Sequence, residues 1–504
     1  MTTTIRTEVA VVGAGPVGLA LAGELRLAGA AVLVVEQLAA PTTESRASTL
    51  HARTMELLDS RGLLDRFGTL PGQPQGHFGG IPLDLTLPGP WPGQWKVPQT
   101  RTEEVLQDWA RSLGADIRRG HAVREVTVAE DHVEAVAVGP GGPVRIRAEY
   151  LVGCDGEDST VRRLVGADFP GTDAERELLR ADVAGVEIPD RRFQRLERGF
   201  AVAARRADGV TRVMVHEFDS TPRYTRPGAG APEFGEIADA WKRVTGEDIS
   251  GGTPLWVNAF GDANRQLSAY RHGRVLFAGD AAHRQLPVGG QALNLGLQDA
   301  FNLGWKLGRQ VRGEAPAGLL DSYHSERHAV GRRTLGNIKA QAMLLLGGPD
   351  VEAARAVFGE LIALEGTRRH LAGMISGVDV RYDVGPGDHP LLGARLPQLT
   401  LATTVPGQER TTTTVLLRTG RGLLLDLTGD EHEAARIRAA AEPWAGRVDV
   451  VAGRPEPDGA EPSGADQLGP GLFLVRPDGH LAWAGDAGAD PRPALHRCFG
   501  EPAA

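Results

Sequence analysis

Apolar residues gather in short, unbroken runs near the start of the chain, where residues 8–36 read as strand, helix and strand. The first run stops at a glycine-rich turn, an Ala/Leu-rich helix follows, and the second run ends on an acid, Glu36. A similar run over 275–278 predicts a buried strand. A loop with Pro287, Gly289 and Gly290 then leads to a helix starting near Gln291. A helix over 102–113 places Leu106, Trp109 and Leu113 on one face, and another begins around His51. Short strands are expected over 122–128 and 132–138. From about 179 to 270 the pattern turns antiparallel, with alternating strands over 182–188, 199–204 and 211–218. Beyond Pro390, strands over 422–427, 447–452, 472–475 and 480–484 precede a closing helix over 493–499. Pro477-Asp-Gly479 is the hairpin turn between the last two strands.

Composition narrows the classes. A chain of 504 residues is too long for one core and suggests about three domains. The net charge is −9, and the 55 basic residues are scattered, so no nucleic-acid partner is expected. Glu24 and Arg26 interrupt the apolar stretch over 9–35, so a membrane span is not expected. No charged n-region followed by an apolar h-region opens the chain, which argues against secretion. The two cysteines, Cys154 and Cys498, form no CxxC and suit a reducing cytoplasm. No metal is expected, and no internal repeat is visible.

The turn after the first strand reads Gly13-Ala14-Gly15-Pro16-Val17-Gly18. Its first glycine permits the turn, the second lets a pyrophosphate approach the backbone, and the third lets helix and strand pack closely. The phosphates would sit on free N–H groups at the helix start. Glu36, 18 residues past Gly18, is placed to accept hydrogen bonds from ribose hydroxyls. A dinucleotide, FAD or NAD(P), is the expected ligand. The second constellation, Gly279-Asp280 through Asn294, favours FAD. Asp280 could accept a bond from a sugar-like hydroxyl, and free N–H groups from Gly290 to Leu293 would face an electron-rich acceptor.

These two motifs resemble those of the class A flavoprotein monooxygenases, the para-hydroxybenzoate hydroxylase family. A third segment, Leu151-Val-Gly-Cys-Asp155-Gly156-x-x-Ser159-x-Val161-Arg162, is similar to that family's DG motif. Residues 76–84, 321–328 and 369–377 resemble segments of the bacterial aromatic polyketide hydroxylases, in particular those acting on angucyclinones. The resemblance implies an α/β fold with three parts. A Rossmann-like FAD-binding domain takes residues 1–70, 99–178 and 271–389. An inserted antiparallel β-sheet substrate domain takes 71–98 and 179–270. A C-terminal thioredoxin-like domain without CxxC takes 390–504 and suits a scaffold or dimer surface.

The resemblance also implies roles for single residues. Arg46 would lie near the cofactor diphosphate, Gln99 at the flavin and Val123 at the adenine by a backbone contact. Gln37 beside Glu36, and Pro287, Gln291, Ala292, Leu293 and Asn294 at the second turn, would complete the cofactor set. The implied reaction is FAD- and NADPH-dependent hydroxylation of a polycyclic aromatic polyketide by O2 through a flavin C4a-hydroperoxide, the protein aiding phenol ionisation. No base is assigned. His51, His216 and His283 lie nearest to the relevant segments, and a structural role is the better reading for each. Trp91, Trp95, Trp256 and Phe260 could line the cavity, although core positions suit them better. Tyr224, Asn264 and Arg265 are polar candidates. One departure stands out: the family's Gly-Gly-Gln-Gly is Gly289-Gly290-Gln291-Ala292 here, and the added methyl would narrow the gap at the flavin or demand a torsion suited to Gly. Baeyer–Villiger oxygenation of a related quinone, and a non-catalytic flavin- and polyketide-binding protein, remain open alternatives.

Overall fold

The computed structural model describes residues 3–43, 47–206, 208–223, 230–456 and 467–502. β1 (Thr3–Val12), α1 (Pro16–Leu27) and β2 (Val32–Glu36) form the predicted β-α-β unit. The chain then passes through β3 (Thr49–His51) and α2 (Ala52–Asp59) to a hairpin of β4 (Gln75–Phe78) and β5 (Ile81–Asp84). β6 (Gln94–Lys96) returns to pair antiparallel with β3 and leads into α3 (Gln99–Ser112). β7 (Asp116–Arg119), β8 (Ala122–Val128), β9 (Val133–Gly139) and β10 (Gly142–Gly153) follow, then α4 (Thr160–Leu164).

An inserted five-stranded antiparallel sheet comes next. It holds β11 (Glu177–Ala184), β12 (Arg191–Leu196), β13 (Gly199–Arg205), β14 (Thr211–Glu217) and β15 (Thr253–Gly261), in the order β12-β13-β14-β11-β15. The predicted strand over 182–188 starts earlier, at Glu177, and has left the sheet by Gly185, whose φ is +75°. Alternation gives the sheet two apolar faces. Ala181, Val183, Ala201, Val213 and Val215 pack under α5 (Phe234–Thr245), against Ile237 and Trp241. Leu178, Phe200 and Val202 on the opposite face pack with Leu286, Val288 and Ile338.

β16 (Val275–Phe277) rejoins the first domain, with β10, β1, β2 and β7 as successive parallel neighbours. β9 and β8 extend from β10 as antiparallel neighbours. α6 (Gln291–Val311) crosses behind this sheet against α1, and α7 (Asp321–Leu346) spans from the first domain to the second. The 390–504 segment places β17 (Gly422–Asp426) between parallel β18 (Val448–Pro455) and antiparallel β19 (Leu472–Val475), with β20 (Leu481–Gly485) beyond. α8 (Glu431–Ala441) is the crossover and α9 (Arg492–Phe499) closes the chain, a thioredoxin-like arrangement. Both faces of its sheet are filled by apolar cores, one of which includes buried Cys498. Among the described residues, no helix is long and apolar enough to cross a membrane.

Candidate active site

The three sequence motifs meet at one place. Gly13, at φ +107°, lies so close to the DG strand that a Cβ on it would be 2.4 Å from the Cys154 carbonyl oxygen. A Cβ on Gly18 would be 2.0 Å from the Gly13 oxygen, so both positions are closed to any larger residue. Gly15 is different: a Cβ there would meet nothing within 4 Å. It is the N-cap of α1, with Pro16 at N1 and no side chain capping the first turn. Open space over uncapped N–H groups fits a pyrophosphate. At the end of β2, Glu36 turns its carboxylate back over this turn, Oε2 accepting from Ala14 N and Oε1 from Leu38 N, each at 2.8 Å. Gln37 is exposed beside it. Val123 buries its side chain in the core, leaving its backbone for any ligand contact.

The second turn packs directly on the first. Gly279, at φ +64°, faces Val17, whose Cγ2 would be 2.9 Å from an added Cβ, and the next residue, Asp280, is exposed. Asp299 holds this turn from below. Its Oδ2 accepts from Gly279 N at 3.2 Å and lies 2.8 Å from His283 Nε2, while its Oδ1 accepts from Arg327 Nε at 2.7 Å. All three side chains are fully buried. Burial pushes the Asp299 carboxyl up, but Arg327 and His283 outweigh it and hold the group below the usual carboxylate range. The DG motif joins in through Arg162, which donates to the Ala281 carbonyl at 3.0 Å and stacks over Phe169. Asp155 caps α4, accepting from Ser159 Oγ and Val161 N, and Gly156 beside it has φ +80°.

At the start of α6, Gly290 is an N-cap at φ +68° without a side-chain cap. Asn294 fixes this end: its Oδ1 accepts from His51 N and Thr54 Oγ1, and its Nδ2 donates to the Thr49 and Gly290 carbonyls. His51 Nε2 lies 2.8 Å from the Gly289 oxygen. Burial lowers the His51 pKa to about 4, so the ring is neutral at pH 7. Gln291 begins a ladder of amides. Its Oε1 accepts from Asn337, Asn337 accepts from Gln341, and Gln341 accepts from Gly79 N in the β4–β5 turn. The Gln291 Nε2 is buried with no partner among the described residues, a donor aimed at whatever occupies this end. Gln99 accepts from Ala47 N and donates to Glu103. Pro287 is exposed, Leu293 buried and Ala292 half-buried. Ala292 lies inside the first turn of α6 and is not among the residues with positive φ, so its methyl demands no glycine torsion.

Several substrate candidates take structural places. Trp95 is core, with Trp91 edge-on beside it at 5.8 Å. Trp256 lies under the Arg180 guanidinium, and Phe260 packs with the Leu286–Val288 cluster. The His216 ring nitrogens lie against the Glu177 and Leu346 carbonyls, and His283 serves Asp299. Asn264 donates to the Leu335 carbonyl and Arg265 pairs with Asp173. Arg46 and Tyr224 lie outside the described residues. Sequence reading passed over Lys96, His77 and Arg192, which gather between Thr49 and the substrate sheet, and the amide ladder of Asn337 and Gln341. A cavity of about 660 Å³ lies between α6, α7 and the 374–383 segment, with Gln291, Asn294, Gln298, Glu326 and Tyr382 among its walls.

An open phosphate turn, an acid at the end of β2 and an uncapped second helix fit FAD. The comparisons agree. Residues 6–337 match the family model described as FAD binding domain, and residues 389–502 match that described as aromatic-ring hydroxylase, C-terminal. The chain is 42% identical to the 12-dehydrotetracycline 5-monooxygenase/anhydrotetracycline 6-monooxygenase of Streptomyces rimosus, covering 99% of this chain and all of that one. It is similar to CabE, an aromatic hydroxylase from angucycline biosynthesis, at 49% identity and a TM-score of 0.92, covering 99% of this chain and 100% of that one. It is also similar to BexE, studied for oxidation during BE-7585A biosynthesis, at 50% identity and a TM-score of 0.90 with the same coverage. With that likeness running from end to end and the cofactor cradle built as described, the chain belongs to the class A flavoprotein monooxygenases and is an FAD-dependent aromatic monooxygenase.

Proposed function

We propose that this enzyme uses NADPH and O2 to hydroxylate a polycyclic aromatic polyketide of the angucyclinone type, in the biosynthesis of an antibiotic. The observation that carries this reading is the second apolar face of the inserted sheet. Leu178, Phe200 and Val202 pack against the Leu286–Val288 loop immediately before the flavin-facing helix, so the inserted sheet brings its apolar face up to the cofactor end of α6. The full-length likeness to the tetracycline and angucycline oxygenases named above supports the same substrate class.

Each residue then has a task. Gly15 and the first turn of α1 would hold the diphosphate, and Glu36 would hold the ribose. Asp280, from a turn held by Asp299, takes a ribityl hydroxyl. The N–H groups from Gly290 to Leu293 and the Gln291 amide face the polar edge of the ring. Bound FAD, once reduced, supplies the electrons that activate O2. The neutral His51 keeps the Gly289 carbonyl in place. Buried Cys154 and Cys498, both free thiols, suit work in a reducing cytoplasm. The test is incubation with angucyclinones, NADPH and labelled oxygen, followed by NMR of the product. A labelled phenol is expected. A lactone, or no incorporation with any member of the class, would overturn the reading.

A further inference from the structure

β6 pairs with β3 so that Lys96 stands opposite Thr49, and Lys96 Nζ donates to Thr49 Oγ1 at 2.9 Å. Thr49 in turn abuts the start of α6: its Cβ would be 3.1 Å from a Cβ placed on Gly290. The ammonium is therefore one side chain away from the flavin-facing helix cap. The residue is exposed to solvent, yet burial pushes its amine below the usual range, with Arg192 adding to the effect. Lys96 thus stands where β3, β6 and the start of α6 meet, partly desolvated but reaching solvent.

The neighbours of Lys96 come from both domains. Arg192 on β12 and His77 on β4 reach in from the substrate side, and His51 stands at the end of β3. Arg192 is anchored on the Gln75 carbonyl at 2.7 Å, and the His77 ring lies tilted at 44° against Phe193 with ring centres 3.9 Å apart. Burial holds the His77 pKa at about 3 and that of His51 at about 4, so neither carries charge at neutral pH. Lys96 has no carboxylate within ion-pair distance among the described residues. An ammonium has three N–H donors, and Thr49 uses one. Lys96 and Arg192 thus bring two fixed positive charges and spare donors, with no carboxylate paired to them among the described residues, to the junction of α6 and the inserted sheet.

We propose that Lys96 binds the ionised phenol oxygen of the substrate and is the group that lets this phenol lose its proton at neutral pH. The proposal rests on the phenolic substrate class given above and names the residue that recognises it. Lys96 stays protonated throughout, and the phenol proton passes to solvent water, which Lys96 reaches. An opposite charge within ~4–6 Å lowers an acid's pKa by about 1–3 units, enough to turn a mostly neutral phenol into a substantial fraction of phenolate. Electron density then rises at the ring carbons ortho and para to that oxygen.

The test uses the FAD-loaded protein and 1,8-dihydroxyanthraquinone, whose phenolate absorbs at longer wavelength than oxidised flavin. The pKa of the bound probe is read optically for wild type, Lys96→Met and Lys96→Arg, with flavin content and thermal midpoint measured on the same samples. In wild type and Lys96→Arg the bound probe should ionise at least one pH unit below the free probe. In Lys96→Met the shift should vanish while flavin content and melting stay unchanged. Equal ionisation in wild type and Lys96→Met overturns the assignment alone. Failure of wild type to bind the probe in either form overturns the substrate class, and the assignment falls with it.

Discussion

Tyr382 Oη lies 3.0 Å from Nη1 of Arg327, and this contact puts Tyr382 between the final hairpin and the Gly279-Asp280 turn. The Tyr382 ring faces His480 at 4.3 Å and Arg476 at 5.2 Å, both from the hairpin between β19 and β20. Arg327 passes the constraint to Asp299, and Asp299 passes it to Gly279 N beside Asp280. A second buried set fixes the same hairpin: Arg476 pairs bidentately with Glu326 of α7, and Lys306 of α6 shares that carboxylate at 2.8 Å. Tyr382→Phe should therefore cost about 1.5–3 kcal/mol, the range for a hydrogen bond to a charged group. It should also loosen FAD. Denaturant unfolding and flavin-fluorescence titration measure the two effects, and an unchanged affinity would show that the linkage stops short of the turn.

Two glycines of one motif should fail differently. Gly18→Ala places a methyl 2.0 Å from a carbonyl oxygen and should yield little folded protein. Gly15→Ala meets open space, so the apoprotein should melt within a few degrees of wild type while FAD binding drops tenfold or more. Thermal melting of the apo form and a binding titration separate the outcomes.

Removing either proposed sugar contact should show in flavin retention. Asp280→Ala and Glu36→Ala should each weaken FAD by about tenfold to a hundredfold, the value of a charge-assisted hydrogen bond. Equilibrium dialysis gives the answer. Full occupancy in both variants would contradict the assigned geometry.

Stability should fall on the acid side of neutrality. Burial lowers the pKa values of His51 to about 4 and of His77 and His480 to about 3, against an ordinary value of 6.5 in the unfolded chain. Between pH 6.5 and about 4 the unfolded state binds protons that the folded state refuses, so unfolding becomes easier as pH drops. Each histidine contributes a slope of up to about 1.4 kcal/mol per pH unit in that window. Denaturant midpoints at pH 7, 6 and 5 should fall in that order, and a flat series would refute the buried neutral rings.

The parts of the fold written in local sequence were legible. The β-α-β unit, the Gly279-Asp280 turn and the 477–479 hairpin each depend on glycines at fixed offsets, and each stands where it was expected. β11 was misplaced because it is central and buried along nearly its whole length, so Arg180 and Asp182 gave it a false polar rhythm. α5 went unread although Ile237, Trp241 and Val244 repeat at helical spacing and fill the sheet's outer face. The set of Lys96, His77 and Arg192 could not be seen at all. It comes from three separate strands, and only tertiary packing brings the cations Lys96 and Arg192 beside the buried, neutral His77.

The pinning of the final hairpin has a consequence for how such enzymes can be recombined. A chimera that exchanges the region after Pro390 between relatives brings in a foreign Arg476–Asp478 pair to meet the host's Glu326 and Lys306. Unless all four travel together, a charge is stranded in a dry seam. The natural unit of inheritance here cuts across the visible domain border and takes α6 and α7 along with the tail.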